Sequence, residues 1–150
     1  MYTGYNIVSC IKSYQTKLKI ATNNTCTLCN LHEETIVHLF CNCSVLSQLW
    51  LDIQEWLYTK TRINLPLTNQ TKILGHTKAD YFFWPLNFII LITKKYIFKC
   101  SKTGNKINFC SLLKEVKKHY QEQKTLAMMN QQVYRFNKRF DRWINIFEDI

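Results

Sequence analysis

Three cysteines and one histidine between residues 26 and 43 have the types and spacing of metal ligands. Cys26 and Cys29 are separated by two residues, and eight residues separate Cys29 from His38. Four residues then separate His38 from Cys43, which gives the pattern C-x2-C-x8-H-x4-C. Three thiolates and one imidazole are a donor set of closed tetrahedral zinc sites. The pattern therefore predicts a zinc ion, and because it leaves no coordination position for water, the metal is expected to be structural rather than catalytic.

Two nearby residues are alternative ligands. Cys41 lies two residues before Cys43 and competes with it for the fourth position, and His32 is a competing imidazole. The spacing alone does not choose between them. The cysteines outside the pattern are predicted to be buried thiols, because free cysteine is among the most buried residue types. They are Cys10, Cys100 and Cys110.

Disulfide bonds are the competing use of the cysteines. The chain has seven cysteines, which is an odd number, and the local cluster has metal-ligand spacing. Residues 1–9 contain no basic cluster followed by an apolar run of signal-peptide length. A reducing compartment is therefore expected, which favours metal binding over disulfides and places the chain inside the cell, in the nucleus, the cytoplasm or both.

The local sequence indicates how the ligands are positioned. Asn30 follows the Cys-x-x-Cys pair and tolerates the left-handed backbone that tight turns of this kind use. The Glu-Glu-Thr sequence at 33–35 favours a helix start through propensity and the helix dipole. We therefore expect His38 on a short helix and Cys43 just beyond its end.

Apolar residues spaced three and four apart predict further helices, although the run at 89–92 also suits a buried strand. The first predicted helix covers 44–59 with Ser44 as N-cap, and one or two helical turns follow from Thr68 to Leu74, ended by Gly75. Another helix starts at Pro85, and a loop is predicted over 101–106. The last two predicted helices run from an Asn108 cap to about Met129 and over 130–147. Only three glycines and two prolines argue against a turn-rich β-sandwich or barrel.

The sequence thus predicts a mainly α fold with a small structural zinc module followed by several helices. Residues 1–20 are assigned to an N-terminal lead-in and residues 21–60 to the zinc-binding module with its following helix. Residues 61–150 form a basic helical C-terminal region.

The basic residues are concentrated in that last region. Residues 1–93 carry a net charge of +2, residues 94–142 carry +10 and residues 143–150 carry −2. Such asymmetry favours a polyanionic partner, nucleic acid or an anionic membrane surface, although a solvated helical face is the competing interpretation. Tyr96 and Phe98 lie between lysines and are candidates for stacking on bases. The candidate phosphate contacts are Lys94, Lys95, Lys99, Lys102, Lys106, Lys114, Lys117, Lys118, Arg135, Lys138, Arg139 and Arg142.

Two classes of function are disfavoured. Gly4, Gly75 and Gly104 stand far apart, so the chain has no glycine-rich phosphate loop and no dinucleotide fingerprint. The longest apolar stretch, residues 81–92, has twelve residues, whereas a membrane-spanning helix needs about 20. Neither nucleotide hydrolysis nor a membrane-spanning segment is therefore expected. Of the two polyanionic partners, nucleic acid is predicted rather than a membrane.

The cysteine segment resembles a known family. The residues that carry the resemblance are Cys26-Thr27-Leu28-Cys29, Glu33-Glu34-Thr35, Val37-His38-Leu39-Phe40, Cys43 and Trp50. They are similar to the zinc-binding region that follows the reverse transcriptase in non-LTR retrotransposons of the LINE type. Downstream, the segments at 73–75, 87–91 and 94–100, together with the basic helices, resemble the C-terminal tail of these polyproteins.

The resemblance implies an accessory role, in which the chain holds template RNA or target DNA near the polymerase during target-primed reverse transcription. The reverse transcriptase body of the same polyprotein would then be a partner. The chain contains neither the Tyr-x-Asp-Asp motif of the polymerase palm nor the acidic and histidine residues of the endonuclease. It therefore corresponds to the terminal piece of such a polyprotein and is not expected to be an enzyme.

A zinc-stabilised protein-interaction module is the competing hypothesis. In that case the helix over 130–147 would dock an aromatic stripe on a partner, such as the polymerase body. The stripe consists of Phe136, Phe140, Trp143 and Phe147.

Overall fold

The computed structural model describes residues 10–76 and 81–150, without the side chain of Tyr81, so residues 1–9 of the predicted lead-in lie outside it. Within these ranges the chain forms seven α-helices and no β-strand, which confirms the prediction of a mainly α fold. The helices are α1 (Lys12–Lys17), α2 (Ser47–Thr61), α3 (Asn69–Leu74), α4 (Trp84–Thr103), α5 (Phe109–Met129), α6 (Val133–Phe140) and α7 (Ile144–Glu148). Shorter turns are a π-helical turn at His38–Asn42 and 3-10 turns at Ser44–Leu46, Tyr81–Phe83 and Asp141–Trp143.

The helix after the cysteine segment begins later than predicted. Residues Ser44–Leu46 form a 3-10 turn, and α2 starts only at Ser47. The prediction that Ser44 caps this helix is wrong, because Ser44 lies inside the 3-10 turn and Leu46 occupies the N-cap position of α2. The extended backbone at Cys43 (φ −65°, ψ 124°) explains the difference, since the chain turns there before the helix begins.

The short helix α3 confirms the predicted turns between residues 68 and 74. The Thr68 side chain caps it by accepting a hydrogen bond from the backbone N–H of Thr71 at 3.2 Å. Gly75 ends it with φ at 81°, a conformation that disfavours any residue with a Cβ.

Helix α4 confirms the helical alternative for the apolar run at 89–92. Pro85 lies in its first turn, where the missing N–H costs nothing. The predicted loop over 101–106 is wrong for its first three residues, because α4 continues to Thr103. Gly104 ends the helix in the left-handed conformation, with its N–H donating to the Cys100 carbonyl at 2.9 Å.

Helix α5 begins and ends as the sequence predicts. The Asn108 side chain accepts a hydrogen bond from the backbone N–H of Ser111 at 3.0 Å, and the helix runs to Met129. Tyr96 of α4 closes the α4–α5 connection, because its hydroxyl accepts from the Asn108 N–H and donates to the Asn108 carbonyl. Tyr96 is therefore buried and not exposed for stacking on a base.

A single helix over 130–147 is not observed. Gln131, with φ at 54°, turns the chain before α6, and a 3-10 turn at 141–143 separates α6 from α7. The bend lets α7 fold back on α5, where the rings of Phe147 and Tyr120 stack with their centroids 4.7 Å apart. The spacing of the aromatic residues correctly indicates a buried face but not this break in the helix.

The aromatic stripe of α6 and α7 is buried inside the chain. All four of its members are at most 6% exposed: Phe136, Phe140, Trp143 and Phe147. Phe140 lies at its centre and packs edge-on against Trp84, Phe88 and Tyr120, with centroids 5.1 to 5.4 Å apart. Each such aromatic pair contributes about 0.5–1.5 kcal/mol beyond its buried area. The stripe therefore stabilises the chain itself and is not available to a partner, which removes the structural basis of the interaction hypothesis.

The predicted zinc-binding part (residues 21–60) and the basic helices α4, α5 and α6 share their apolar core. Leu39 and Phe40 from the cysteine segment belong to the same cluster of buried residues as Ile97 and Val116 from α4 and α5. The division at residues 20 and 60 stays a prediction. In the part of the chain that the structure describes, no helix has both the length and the apolar character needed to cross a bilayer.

Candidate metal centre

The four predicted ligands converge on one point. One ligand atom from each of Cys26, Cys29, His38 and Cys43 lies within 4.8 Å of every other. Cys29 Sγ and His38 Nε2 are 3.3 Å apart. Four donors bound to zinc at about 2.3 Å for sulfur and about 2.0 Å for nitrogen are roughly 3.5–3.8 Å from one another. The cluster therefore fits a tetrahedral zinc ion in donor type and number, and its donors lie close to the required separation.

A tight turn positions the first two thiols. The Cys26 N–H donates to the His32 carbonyl at 2.7 Å, and the Asn30 N–H donates back to the Cys26 carbonyl at 2.8 Å. Thr25 and Glu33 form an isolated antiparallel bridge that closes the base of the turn. Asn30 has φ at 56°, which confirms the predicted left-handed residue after the Cys-x-x-Cys pair.

A short helical turn positions the other two ligands. The Thr35 hydroxyl accepts from the His38 N–H at 3.0 Å and so caps the turn that starts after residues 33–35. His38 is the first residue of the π-helical turn, and Cys43 follows its end, with its N–H donating to the His38 carbonyl at 2.8 Å. Both expectations from the sequence are confirmed. The π-helical winding itself was not predicted, because the sequence carries no specific signal for it.

Burial raises the pKa of two of the thiols. It raises the pKa of Cys43 to about 12 and also raises the pKa of Cys26. For Cys29 burial acts in the same direction, but backbone hydrogen bonds from Leu31 and His32 outweigh it and hold the pKa below its ordinary value. A thiolate is the form that binds zinc, so loading the site releases protons.

The surroundings of His38 favour its neutral imidazole form. Burial, and secondarily the positive charge that His32 can carry, lower the pKa of His38 below its ordinary value. A neutral ring nitrogen is the form that binds a metal. The His32 ring lies near the site, with its centroid 5.4 Å from that of His38, but its nitrogens do not belong to the converging group.

Cys41 points away from the cluster. Its Sγ lies 3.7 Å from the Asn69 carbonyl at the start of α3. Of the remaining cysteines, Cys100 is buried as predicted, whereas Cys10 is only half-buried and Cys110 is exposed. The prediction for Cys110 is wrong because this residue lies in the first turn of α5, on the side of the helix that faces solvent.

Glu34 is a buried carboxylate that joins three parts of the structure. It is fully buried, and it accepts hydrogen bonds from the backbone N–H of Lys12 at 3.2 Å and from the N–H and hydroxyl of Thr27 at 3.3 and 3.1 Å. The ammonium of Lys102, near the end of α4, lies 3.6 Å away. Glu34 thus connects the start of α1, the Cys-x-x-Cys turn and a basic helix.

The sequence predicts for Glu34 a role at a helix start and a part in the family resemblance, but neither its burial nor its contacts. Its real partners, at positions 12 and 102, are 22 and 68 residues away along the chain. No local spacing predicts such contacts.

Trp50, on α2, connects the segment that carries the metal ligands (residues 26–43, called the metal segment) to α2 and α3. Its indole N–H donates to the Phe40 carbonyl at 2.9 Å, and the Lys72 ammonium lies over its ring at 5.2 Å. The amide groups of Asn42 and Asn69 are joined by a hydrogen bond at 3.1 Å. The metal segment is therefore packed against the helical part through both polar and apolar contacts.

Six of the twelve candidate phosphate contacts have intramolecular partners for their ammonium groups. The Lys94 ammonium donates to the Ile73 carbonyl at 2.6 Å, and burial lowers the pKa of Lys94. The others are Lys95 with His119 at 2.7 Å, Lys99 with Glu115 at 2.8 Å, Lys102 with Glu34 at 3.6 Å, Lys117 with the Ile150 carbonyl at 2.6 Å and Lys118 with Glu122 at 4.0 Å.

Four of the remaining candidates form one surface on α6 and the turn after it. Arg135, Lys138, Arg139 and Arg142 are exposed and follow the i, i+3, i+4, i+7 spacing of one helix face. We call this surface the α6 basic face. No carboxylate of the described residues lies within salt-bridge distance of its three arginines. Lys106 and Lys114 are exposed elsewhere.

Comparison with known proteins connects the metal segment to reverse transcriptases. Residues 9–50 match the family described as zinc-binding in reverse transcriptase. Neither a curated protein nor a solved structure gave a significant match. The matched segment contains the whole Cys3His cluster, Glu34 and Trp50. The part of the chain that brings the four metal ligands together is therefore similar to the zinc-binding region of reverse transcriptases.

Proposed function

We propose that this chain is a zinc-stabilised, nucleic-acid-binding accessory region of a reverse transcriptase of the LINE-type non-LTR class. It would hold template RNA or target DNA near the polymerase. The family match over residues 9–50 supports the association with reverse transcription. The single observation that carries nucleic-acid binding is the α6 basic face, whose arginines have no acidic partner among the described residues.

The zinc ion has a structural role in this proposal. Three cysteines and one histidine complete a tetrahedron, so no position remains for an activated water molecule. Cys26 and Cys43 are fully buried, which also keeps substrate away from the metal. We therefore infer that the region acts by binding rather than by catalysis.

The α6 basic face has the chemistry of a phosphate-binding surface. Arginine always carries its charge and offers a planar set of donors that matches phosphate oxygens. Lys99 and Lys102 illustrate the contrast, because acidic partners in the same chain already compensate their charges. Arginines without an acidic partner gain affinity for a polyanion by releasing the counterions that are condensed on that polyanion. Contacts of this kind do not read sequence.

The zinc-binding part supports this surface indirectly. Lys102 of α4 lies 3.6 Å from Glu34, which in turn accepts hydrogen bonds from the Cys-x-x-Cys turn. Helix α4 contributes Trp84 and Phe88, on which Phe140 of α6 packs. Leu39 and Phe40 also belong to the same buried cluster as Ile97 of α4. Zinc binding therefore orders a segment against which the basic helices pack.

The partners follow from the same proposal. They are RNA or DNA, and the reverse transcriptase body of the same polyprotein, and the site of action is the nucleus, the cytoplasm or both. The aromatic stripe of α6 is buried and does not mediate contact with that body.

Replacement of the three arginines tests the proposal. The variant Arg135→Gln, Arg139→Gln, Arg142→Gln is compared with a control of equal charge change, Lys17→Gln, Lys19→Gln, Arg62→Gln, whose sites are also exposed. Binding of the zinc-loaded full chain to a fluorescent single-stranded RNA is measured by anisotropy at two salt concentrations. The arginine variant is expected to lose at least ten-fold in affinity and to show a shallower salt dependence, by about 2 in the log–log slope for three lost phosphate contacts. Equal losses in both variants would refute a specific role for the α6 basic face.

A further inference from the structure

Two clefts meet at the α6 basic face. The first has a volume of about 390 Å³ and is lined by Trp84 together with Arg135, Lys138 and Arg139. The second, of about 440 Å³, lies between the end of α5 and α6 and shares Arg135 and Arg139 with the first. Its other polar lining residues are the amides Gln123, Asn130 and Gln132. No acidic residue lines either cleft.

Trp84 provides a flat, fixed wall in the first cleft. Its ring packs edge-on against Phe140 at 5.1 Å and parallel to Phe88 at 6.2 Å, so the aromatic core holds it in place. The indole is partly exposed and lines the cleft. The guanidinium carbon of Arg139 lies over the ring, 5.0 Å from its centroid. The cation–π contact restrains Arg139 before any ligand arrives.

Arg135 supplies a charge with no ion-pair partner beside this aromatic pair. Its side chain is exposed and makes no ion pair with a described carboxylate. It also lies on the boundary between the two clefts, because both are lined by it. A group bound in either cleft is therefore within reach of this guanidinium.

The combination selects a ligand with a planar apolar part and an anionic part. Nucleobases stack on indole rings and on guanidinium planes, and phosphates pair with arginine. In a duplex the bases are stacked on one another and enclosed by the backbone, so a concave site beside an indole favours an unpaired nucleotide. The amides of the second cleft can exchange hydrogen bonds with base edges or sugars of an adjoining nucleotide.

We propose that the first cleft, beside Trp84, binds one unpaired nucleotide of a single-stranded nucleic acid. The phosphate of this nucleotide would lie on Arg135 and its base on the Trp84–Arg139 pair. This proposal rests on the proposed function and makes it specific, because it names single strands as the ligand and stacking as a part of the affinity. The α6 basic face then follows the backbone on either side of the bound nucleotide.

Three probes of equal length separate stacking from charge. They are a 12-residue oligothymidylate, an abasic deoxyribose-phosphate strand and a DNA duplex. The zinc-loaded full chain is titrated with each, and binding is followed by anisotropy and by quenching of tryptophan fluorescence. The oligothymidylate is expected to bind at least about ten-fold more tightly than the abasic strand, because stacking of a single base accounts for an effect of this size. It is also expected to bind more tightly than the duplex at moderate salt.

Two tryptophan variants locate the effect. Trp84→Leu is expected to lower the affinity for oligothymidylate about ten-fold and to leave the affinity for the abasic strand unchanged. Trp56→Leu is the matched control, because Trp56 is also half-buried but packs against Phe109, far from α6 along the chain. Trp84→Phe keeps the aromatic packing but removes the indole. Oligothymidylate should therefore quench the tryptophan fluorescence of this variant much less than that of the native chain. The control variant Trp56→Phe should be quenched as strongly as the native chain.

The outcomes distinguish this proposal from the one on which it rests. Equal affinities for the base-bearing and abasic strands, or binding without quenching from Trp84, overturn the nucleotide site and leave the proposed function standing. Displacement of oligothymidylate by polyglutamate at equal charge concentration also overturns it, because the cleft then recognises charge alone. Absence of binding to all three probes at low salt overturns the proposed function as well.

Discussion

Replacement of Glu34 by glutamine tests whether this buried carboxylate stabilises the fold of the zinc-binding part. The carboxylate is fully buried and accepts three hydrogen bonds, two from Thr27 and one from the backbone of Lys12. A glutamine of the same shape turns one acceptor oxygen into an NH2 group, which faces donors whichever way the amide is oriented. Hydrogen bonds to a charged group contribute about 1.5–3 kcal/mol each, and a buried donor left without a partner is costly.

The expected loss in the free energy of unfolding is about 2–4 kcal/mol, because one or two of these hydrogen bonds are broken. The ion pair with Lys102 adds little, since the Lys102 side chain is 36% exposed and solvent screens the charge. The assay is urea unfolding of the zinc-loaded chain. Glu33→Gln is the matched control, because it removes the same charge from an exposed neighbour and should change stability by less than about 0.5 kcal/mol.

Zinc affinity gives a second measurement on the same variants. The N–H and hydroxyl of Thr27, next to the ligand Cys26, lose their acceptor in Glu34→Gln, so competition with a chelator should show weaker zinc binding. If the free energy of unfolding of Glu34→Gln lies within about 0.5 kcal/mol of that of the native chain, the buried carboxylate does not stabilise the zinc-binding part and the reasoning is refuted.

Three further predictions concern single positions. Cys26→Ser should expose residues 21–60 to limited proteolysis more than the C-terminal helices, while Cys110→Ser should leave the pattern unchanged; equal protection in both variants would count against a structural zinc site. Gly104→Ala should lower the free energy of unfolding by about 1 kcal/mol. Since φ is 70° and no atom lies within 4 Å of the added Cβ, this cost is backbone strain alone. Calorimetry should show a smaller loss for Gly104→Asn, and equal losses would contradict this explanation. Lys99 donates a hydrogen bond that lowers the pKa of Glu115, so this carboxylate stabilises the fold at neutral pH and loses the contribution as pH falls below its ordinary value of 4.5; Lys99→Gln should therefore flatten the acid limb of stability against pH, and an unchanged limb would disprove the pairing.

The parts of the site that were predictable depend on residues close together in sequence. The Cys-x-x-Cys turn, the left-handed Asn30, the short helix carrying His38 and the position of Cys43 all follow from local spacing and local hydrogen bonds. The helix caps at Thr68 and Asn108 are local in the same sense, since each side chain accepts from a backbone N–H three residues later. These features are determined by spacing and hydrogen bonds within a few residues, so they do not depend on contacts with distant parts of the chain.

The features that were missed depend on contacts distant in sequence. Lys94 has the sequence context of a solvated basic residue, yet its ammonium is directed to the Ile73 carbonyl, 21 residues earlier. The break between α6 and α7 arises because Phe147 reaches Tyr120 of α5, a contact that periodicity along one helix does not contain. Periodicity identifies the face that a helix buries, but it does not identify the element that covers this face or where the helix must bend to meet it.

A salt series tests the central claim most directly. The zinc-loaded chain is titrated into single-stranded RNA at salt concentrations from about 50 to 200 mM, and the affinity is plotted against salt on logarithmic axes. The proposed phosphate contacts of Arg135, Arg139 and Arg142 predict a linear fall in log affinity with a slope of about −2 or steeper, since each phosphate contact on a single strand contributes about −0.7. An affinity that does not change with salt, or no binding at the lowest salt, would contradict the proposal that this zinc-stabilised region holds nucleic acid through its basic helix.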